Sequence, residues 1–162
     1  SLATRVERAN KLNRVKPCLY VSIHSDAGSY AYIDKQCMVR YNKSKHPNVT
    51  VFYYKEEWHE ASGMSVYTSK GQTKSDELAQ LVIDELQDNF GATVKWRTDS
   101  MDHDEDKEEN FYVLKNTNCP AILCELGFHT NKEEATKMLT ADWKNKIVLS
   151  LVYAIKKYIN KN

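Results

Sequence analysis

Leu2, Val6, Ala9, Leu12 and Val15 recur at spacings of three and four with Arg and Lys between them, which predicts an amphipathic helix over 2–15. Pro17 stops it, and Cys18-Leu19-Tyr20-Val21-Ser22-Ile23 follows as a short β-rich run suited to a buried strand. His24 then stands at the C-terminal end of that strand. From Ser25 to Gly63 the periodicity weakens. Gly28-Ser29 and Pro47-Asn48 mark turns, Val49 to Tyr54 is a candidate strand, and the stretch from about 29 to 62 reads as an insertion.

Order resumes with a predicted strand from Gly63 to Thr68 and a helix from Ser75 to Phe90, begun by a Ser or Asp cap and closed by Gly91. Thr98 to Asn110, which contains Asp102-His103-Asp104-Glu105-Asp106, is almost wholly polar and is expected to form a solvated loop. Pro120-Ala121-Ile122-Leu123-Cys124-Glu125 is another apolar strand, ending in a carboxylate. Asn131 caps a helix through Leu139, and Ile147, Val148, Leu151, Val152 and Ile155 line one side of a last helix near 143–158. Strands alternating with helices predict an α/β fold: one domain over 1–162, with a mostly parallel sheet and helices on both faces. In such folds chemistry collects outside the C-terminal ends of the strands, where His24 and Glu125 both fall.

Composition narrows the function classes. With 23 basic and 22 acidic residues the net charge is +1, so nothing draws the chain toward nucleic acid. No apolar run approaches the roughly 20 residues of a membrane-spanning helix, and the first residues lack the apolar stretch of a signal peptide. Cys18, Cys37, Cys119 and Cys124 include no CxxC pair, which argues against a thiolate zinc site and for buried free thiols; spacing alone derives no disulfide.

His24 precedes Ser25-Asp26-Ala27-Gly28, so its ring is expected to emerge into a loop-lined cleft, where a neutral imidazole suits zinc. A hydrogen-bonded turn histidine is the plainer reading of position alone. Glu125 is flanked by apolar residues, so its charge is desolvated unless it meets a cavity or partner, and a carboxylate so placed can serve as a general base. A salt-bridged structural glutamate is the plainer alternative there. His46, His59, His103 and His129 lie in loops without an HExxH companion and read as surface residues, with His129 close enough to Glu125 to line a site. The acidic run lacks the glycine turn and terminal glutamate of a calcium loop. The aromatic residues between Tyr30 and Trp58 could offer stacking faces for sugars, though they more commonly close a small satellite core.

Arg5-Val6-Glu7-Arg8-Ala9-Asn10, Tyr20-Val21-Ser22-Ile23-His24-Ser25-Asp26-Ala27 and Glu125-Leu126-Gly127-Phe128-His129-Thr130-Asn131 resemble, in that order, the amidase type 3 family of zinc-dependent N-acetylmuramoyl-L-alanine amidases. Gly63 to Tyr67 and Lys70 to Ala79 look like its prophage and endolysin-like branch. The resemblance implies Zn²⁺ as cofactor, His24 as a metal ligand, Glu125 as the catalytic carboxylate and peptidoglycan as the partner, cleaved at the amide between N-acetylmuramic acid and L-alanine. It also implies a secreted or cell-wall-associated enzyme, or a phage lysis protein made in the cytoplasm. The family's other ligands, a histidine of a Gly-His-Gly loop and a helix glutamate, have no counterpart here, so the chain is expected to lack the N-terminal strand and helix that carry them. Asp26, where the family commonly has Asn, and His129, usually apolar or aromatic there, are smaller departures. An amidase-derived cell-wall-binding or scaffold domain without activity is the competing reading.

Overall fold

The computed structural model describes residues 1–28, 38–39, 51–52, 58–71, 73–98 and 104–161. In chain order its elements are α1 (Leu2–Val15), β1 (Tyr20–Asp26), β2 (Met38–Val39), β3 (Val51–Phe52), β4 (Met64–Thr68), α2 (Lys74–Phe90), β5 (Lys107–Glu108), α3 (Tyr112–Asn116), β6 (Ala121–Phe128), α4 (Lys132–Met138) and α5 (Ala141–Lys161). His46, His103, Cys37 and most of the insertion lie outside the described residues; within it, the backbones of β2 and β3 pair antiparallel.

The main sheet has the strand order β1-β6-β4-β5. β1 runs parallel to β6, and β4 runs antiparallel to β6 and parallel to β5. Two of the three pairings are parallel, in keeping with the expected mostly parallel sheet, and one, β4 with β6, is antiparallel. The antiparallel pairing goes with the path of the insertion, which connects β1 to β4. Its last residues return to the end of the sheet that β1 has just left, since His59 N–H donates to the Thr130 carbonyl at 2.8 Å beyond the end of β6. β4 then runs back the way β1 came, antiparallel to its neighbour β6.

Both faces of the sheet are covered, unequally. One face carries Met64, Val66, Ile122, Cys124 and Leu126, all buried against Leu78, Val82 and Leu86 of α2 and Trp143, Ile147 and Leu151 of α5. The helical spacing of those α2 and α5 residues puts them on facing stripes. Between the stripes, the buried Ser150 hydroxyl donates to the Glu85 carbonyl at 3.0 Å and accepts from Asn89 at 3.0 Å. The opposite face holds a smaller cluster in which Val6 of α1 and Val113 and Leu114 of α3 bury Ala121 and Leu123, with Tyr20 and Tyr67 packed alongside. Helix α2 begins one residue before the expected Ser75, with Thr73 as its cap in a reciprocal capping box with Asp76. Ser75 instead turns its hydroxyl inward to accept from the Ala121 N–H at 3.1 Å.

The acidic stretch departs most from the sequence pattern. Asp106, in the expected solvated loop, is 1% exposed and accepts from the Thr68 hydroxyl at 2.6 Å. The Glu105 carboxylate accepts from Gln80 at 3.2 Å and from Gln87 at 3.2 Å. A short segment of the run thus becomes β5, because the amide face of α2 and the end of β4 supply donors that replace water.

Glu134 of α4 plays a comparable part at the other end of the sheet. Its buried carboxylate accepts from the Gly63 N–H at 2.9 Å and the Phe128 N–H at 2.7 Å, joining the start of β4 to the end of β6. Gly63 has a φ of 116°, a backbone conformation that favours glycine. Glu134→Ala leaves two buried donors unpaired and is expected to destabilise the fold by about 3 kcal/mol. Urea denaturation followed by circular dichroism measures this, and a loss under about 1 kcal/mol would mean that water replaces the carboxylate at no great cost.

Candidate active site

The parallel pairing of β1 and β6 aligns His24 with Glu125 as direct neighbours. On the other side of β6, the antiparallel pairing places Ser65 of β4 next to Glu125. Side chains in register on adjacent strands project to one face, so Ser65, Glu125 and His24 form a row across three strands. Ser22, two residues before His24, shares that face, and its hydroxyl lies 2.8 Å from His24 Nε2. The expected neighbours are therefore brought together although about a hundred positions of sequence separate them. The sheet face bearing the row is the one covered by α1 and α3.

His24 is exposed and Glu125 half-buried. The carboxyl of Glu125 is pushed up from 4.5 to about 7, chiefly because burial penalises its charge and then because the Asp26 carboxylate repels it. One of its oxygens, Oε2, is buried without a hydrogen-bond partner, and so is the Ser65 hydroxyl. On the opposite face the buried Cys124 thiol is raised to about 12, by desolvation first and by the Glu125 charge second, which leaves it a packing residue.

The loops beyond the two strands are tied together. A shift in register between His24 and Asp26 brings Asp26 opposite Phe128. His129 N–H then donates to the Asp26 carbonyl at 3.0 Å, and the His129 ring nitrogen Nδ1 lies 3.0 Å from the Ser25 hydroxyl. Gly28 N–H donates to the buried Thr130 hydroxyl at 2.8 Å. A Cβ on Gly28 would meet His59 Cβ at 2.9 Å, so His59 closes over that loop. His129 itself is exposed at the rim. A groove of about 460 Å³ runs along the other side of the site, between α1 and β1, lined by Arg5, Arg8, Leu12, Cys18, Ser22 and His24 among others.

Ser22, Ser65 and Asp26 were not legible as site residues from the sequence. Serines in strands carry no signal of their own, and the like-charge effect of Asp26 on Glu125 depends on strand pairing. Chemically, the row offers an imidazole and a carboxyl group that changes protonation near neutral pH. Among the described residues, no group of three or more His, Cys, Asp or Glu side chains converges in a way that could hold a metal ion.

This is an α/β protein whose ionisable pair stands in the C-terminal halves of neighbouring parallel strands, toward the end where such sheets place their chemistry. The sequence model of the Amidase 3 family, N-acetylmuramoyl-L-alanine amidase, matches residues 2–157, and the chain belongs to that family. It is 27% identical over 140 residues to the N-acetylmuramoyl-L-alanine amidase LytC of Bacillus subtilis, covering 86% of this chain and 21% of that protein. A putative N-acetylmuramoyl-L-alanine amidase of Buchnera aphidicola is 40% identical over 50 residues, covering 31% of this chain and 21% of that protein. Among solved structures, the N-acetylmuramoyl-L-alanine amidase of Clostridium difficile 630 superposes with a TM-score of 0.70 at 24% identity, over 99% of this chain and 66% of that one. AmiC2 of Nostoc punctiforme gives a TM-score of 0.64 at 23% identity, over 99% of this chain and 66% of that one. The chain thus spans about a fifth of the length of these curated relatives.

The raised pKa of Glu125 has a consequence for stability. The folded protein holds this proton more tightly than the unfolded chain does, so the contribution of Glu125 to stability is full below 4.5 and is lost as the pH rises toward about 7. Glu125→Gln, which cannot ionise, is expected to melt above the parent chain at about pH 8 and to lose that advantage near pH 4.5. Melting curves of both chains in chelator across this range check it. Equal melting temperatures at the alkaline end would mean that the carboxylate is not desolvated.

Proposed function

We propose that the chain is the catalytic domain of a peptidoglycan hydrolase that cleaves the amide between N-acetylmuramic acid and the L-alanine of the stem peptide. The observation that carries this is the in-register pairing of His24 with Glu125 on one sheet face, in a chain that belongs to the amidase family. Amide hydrolysis needs a group that takes a proton from the attacking water and returns one to the departing nitrogen. A carboxyl whose pKa lies at about 7 can do both near neutral pH, and Glu125 has that property. The half-burial that raises its pKa also limits competing solvation of the carboxylate. Ser65, with its unpaired hydroxyl beside Glu125 in the sheet, is placed to steady one carboxyl oxygen.

Zinc dependence belongs to the same proposal, with His24 as one ligand. The Ser22 hydroxyl at 2.8 Å holds the ring in a set orientation, as hydrogen-bonded partners of metal-binding histidines do. A catalytic zinc takes three protein ligands. The described residues bring one such imidazole and no three-ligand group, so by themselves they fall short of a zinc site. The site of action we propose is the cell wall, through secretion or phage lysis; no helix among the described residues is long and apolar enough to cross a membrane.

Release of stem peptides from purified peptidoglycan, followed by mass spectrometry with bound metal quantified in parallel, tests the proposal. Glu125→Gln is expected to lose about 10² to 10⁴ in rate while retaining zinc, since Gln keeps the size but cannot carry the proton. His24→Ala is expected to lose both metal and activity. Near-parental turnover by Glu125→Gln would sink its assignment, and full zinc occupancy in His24→Ala would sink the ligand. Binding of peptidoglycan without release, in zinc-loaded protein, would identify a wall-binding domain instead.

A further inference from the structure

Cys18 and Cys119 face each other at the opposite end of the strand pair that carries His24 and Glu125. The β1–β6 ladder aligns Tyr20 with Ala121, and the Tyr20 N–H donates to the Pro120 carbonyl at 2.9 Å, so the pairing continues one residue before the strands begin. Two residues before each aligned partner, just outside the strands, stand Cys18 and Cys119. The Cys18 thiol lies close enough to help raise the pKa of Cys119, while its own Sγ sits 3.8 Å from the Ala9 carbonyl and 3.8 Å from Asn13 Oδ1. The paired strands that begin two residues further on lie about 4.8 Å apart, and a disulfide needs roughly 4.4 to 6.8 Å between Cα atoms.

Both backbones are pinned around the pair. Asn13 of α1 accepts from the Cys18 N–H at 3.3 Å and donates to the Asn118 carbonyl at 3.4 Å. Asn10 accepts from the Asn118 N–H at 2.7 Å and donates to the Asn116 carbonyl at 2.9 Å. Cys119 is 6% exposed, whereas Cys18 is half-buried and opens onto the groove between α1 and β1. Cys124 points to the other sheet face and is fully buried there, so it cannot reach either sulfur.

We propose that Cys18 and Cys119 form a disulfide under oxidising conditions, cross-linking the entry of β1 to the entry of β6. The oxidant is a small-molecule or protein disulfide. The Cys18 thiol gives up its proton, attacks one sulfur of that disulfide from the groove and expels the other as a thiol, leaving a mixed disulfide on Cys18. The Cys119 thiol then loses its proton, attacks Cys18 Sγ and expels the second thiol. Two protein thiols are oxidised by two electrons and one disulfide is reduced to two thiols. Burial first, and then the Cys18 thiol, push the Cys119 thiol up to about 12, so the order runs through the more accessible Cys18.

The bridge would close a loop of about a hundred residues, and the restriction of the unfolded chain grows with loop length. It would lie six residues upstream of both His24 and Glu125, roughly 20 Å along the strands, fixing their register without touching them. The proposal rests on the amidase reading only for its oxidising, extracytoplasmic setting, and its test uses no substrate.

The 162-residue chain is equilibrated with oxidised glutathione, then alkylated, digested and mapped by mass spectrometry. Two of the four thiols should disappear, with the Cys18 and Cys119 peptides joined, and the oxidised chain should melt about 10 °C above the reduced one. Cys18→Ser and Cys119→Ser should each abolish the joined peptide and the redox dependence of melting. A stable glutathione adduct on Cys18 with Cys119 still alkylatable, a bridge to Cys37, or four unchanged thiols would overturn the proposal. Peptide mapping of the parent chain decides the matter even where a serine variant fails to fold.

Discussion

The parallel pairing of β1 with β6 is the constraint on which the site depends. Side chains on a strand alternate between faces, so a slip of one residue would turn Glu125 into the α2–α5 core and bring Cys124 out beside His24. Several independent interactions forbid that slip. Ile122, Cys124 and Leu126 fill the larger core from one side of β6, while Ala121 and Leu123 fill the smaller core from the other. At the C-terminal end Glu134 holds the Phe128 N–H, and at the N-terminal end Asn10 and Asn13 hold Asn118. Burying a carboxyl group is tolerable only on a strand whose register is specified this strongly.

That burial has a cost which the rest of the fold must offset. A half-buried glutamate near a second carboxylate, with one oxygen unpaired and an unpaired serine hydroxyl beside it, is destabilising when ionised. Several other buried polar groups are paired: Glu134 holds two backbone donors, Asp106 holds Thr68, and Ser150 joins α2 to α5. The contrast makes the Ser65–Glu125 position a place where local stability gives way to available chemistry, a pattern expected of functional sites.

Long periodic elements were readable from the sequence because burial imposes their period. The α2 and α5 spans emerged from their stripes, whereas of the five apolar positions that marked α1 only Val6 and Ala9 are buried, and Leu2, Leu12 and Val15 are exposed. That His24 and Glu125 lie on strands was equally visible, although β1 runs on to Asp26 and β6 to Phe128, so neither residue is the last of its strand. Their adjacency was expected from the motifs and is observed; that β4 takes the far side of β6 was not legible. The antiparallel sense of β4 was hidden as well: it goes with where the insertion returns, which local pattern does not record. Asp106 shows the limit of charge patterning. Its neighbours are polar, so the run reads as solvated, and only the donors of Thr68, Gln80 and Gln87 reveal that it folds inward.

Coverage of the two sheet faces explains why chemistry is possible on only one of them. Helices α2 and α5, of 17 and 21 residues, cover their face along the whole length of β6, from Ile122 to Leu126. The other face has α1 and the five-residue α3, and their buried contacts reach only Ala121 and Leu123. Beyond Leu123 that cover ends, so the next side chain on the same face, Glu125, meets partial solvent instead of a helix. A glutamate one position earlier or later would lie under α2 and α5, where an unpaired charge is far more costly. Strand alternation and the short reach of α1 and α3 therefore select both the face and the position along β6 at which a carboxyl group can be half-buried and still accessible. His24, aligned with it on the edge strand, lies at the one place where an exposed imidazole can share that opening.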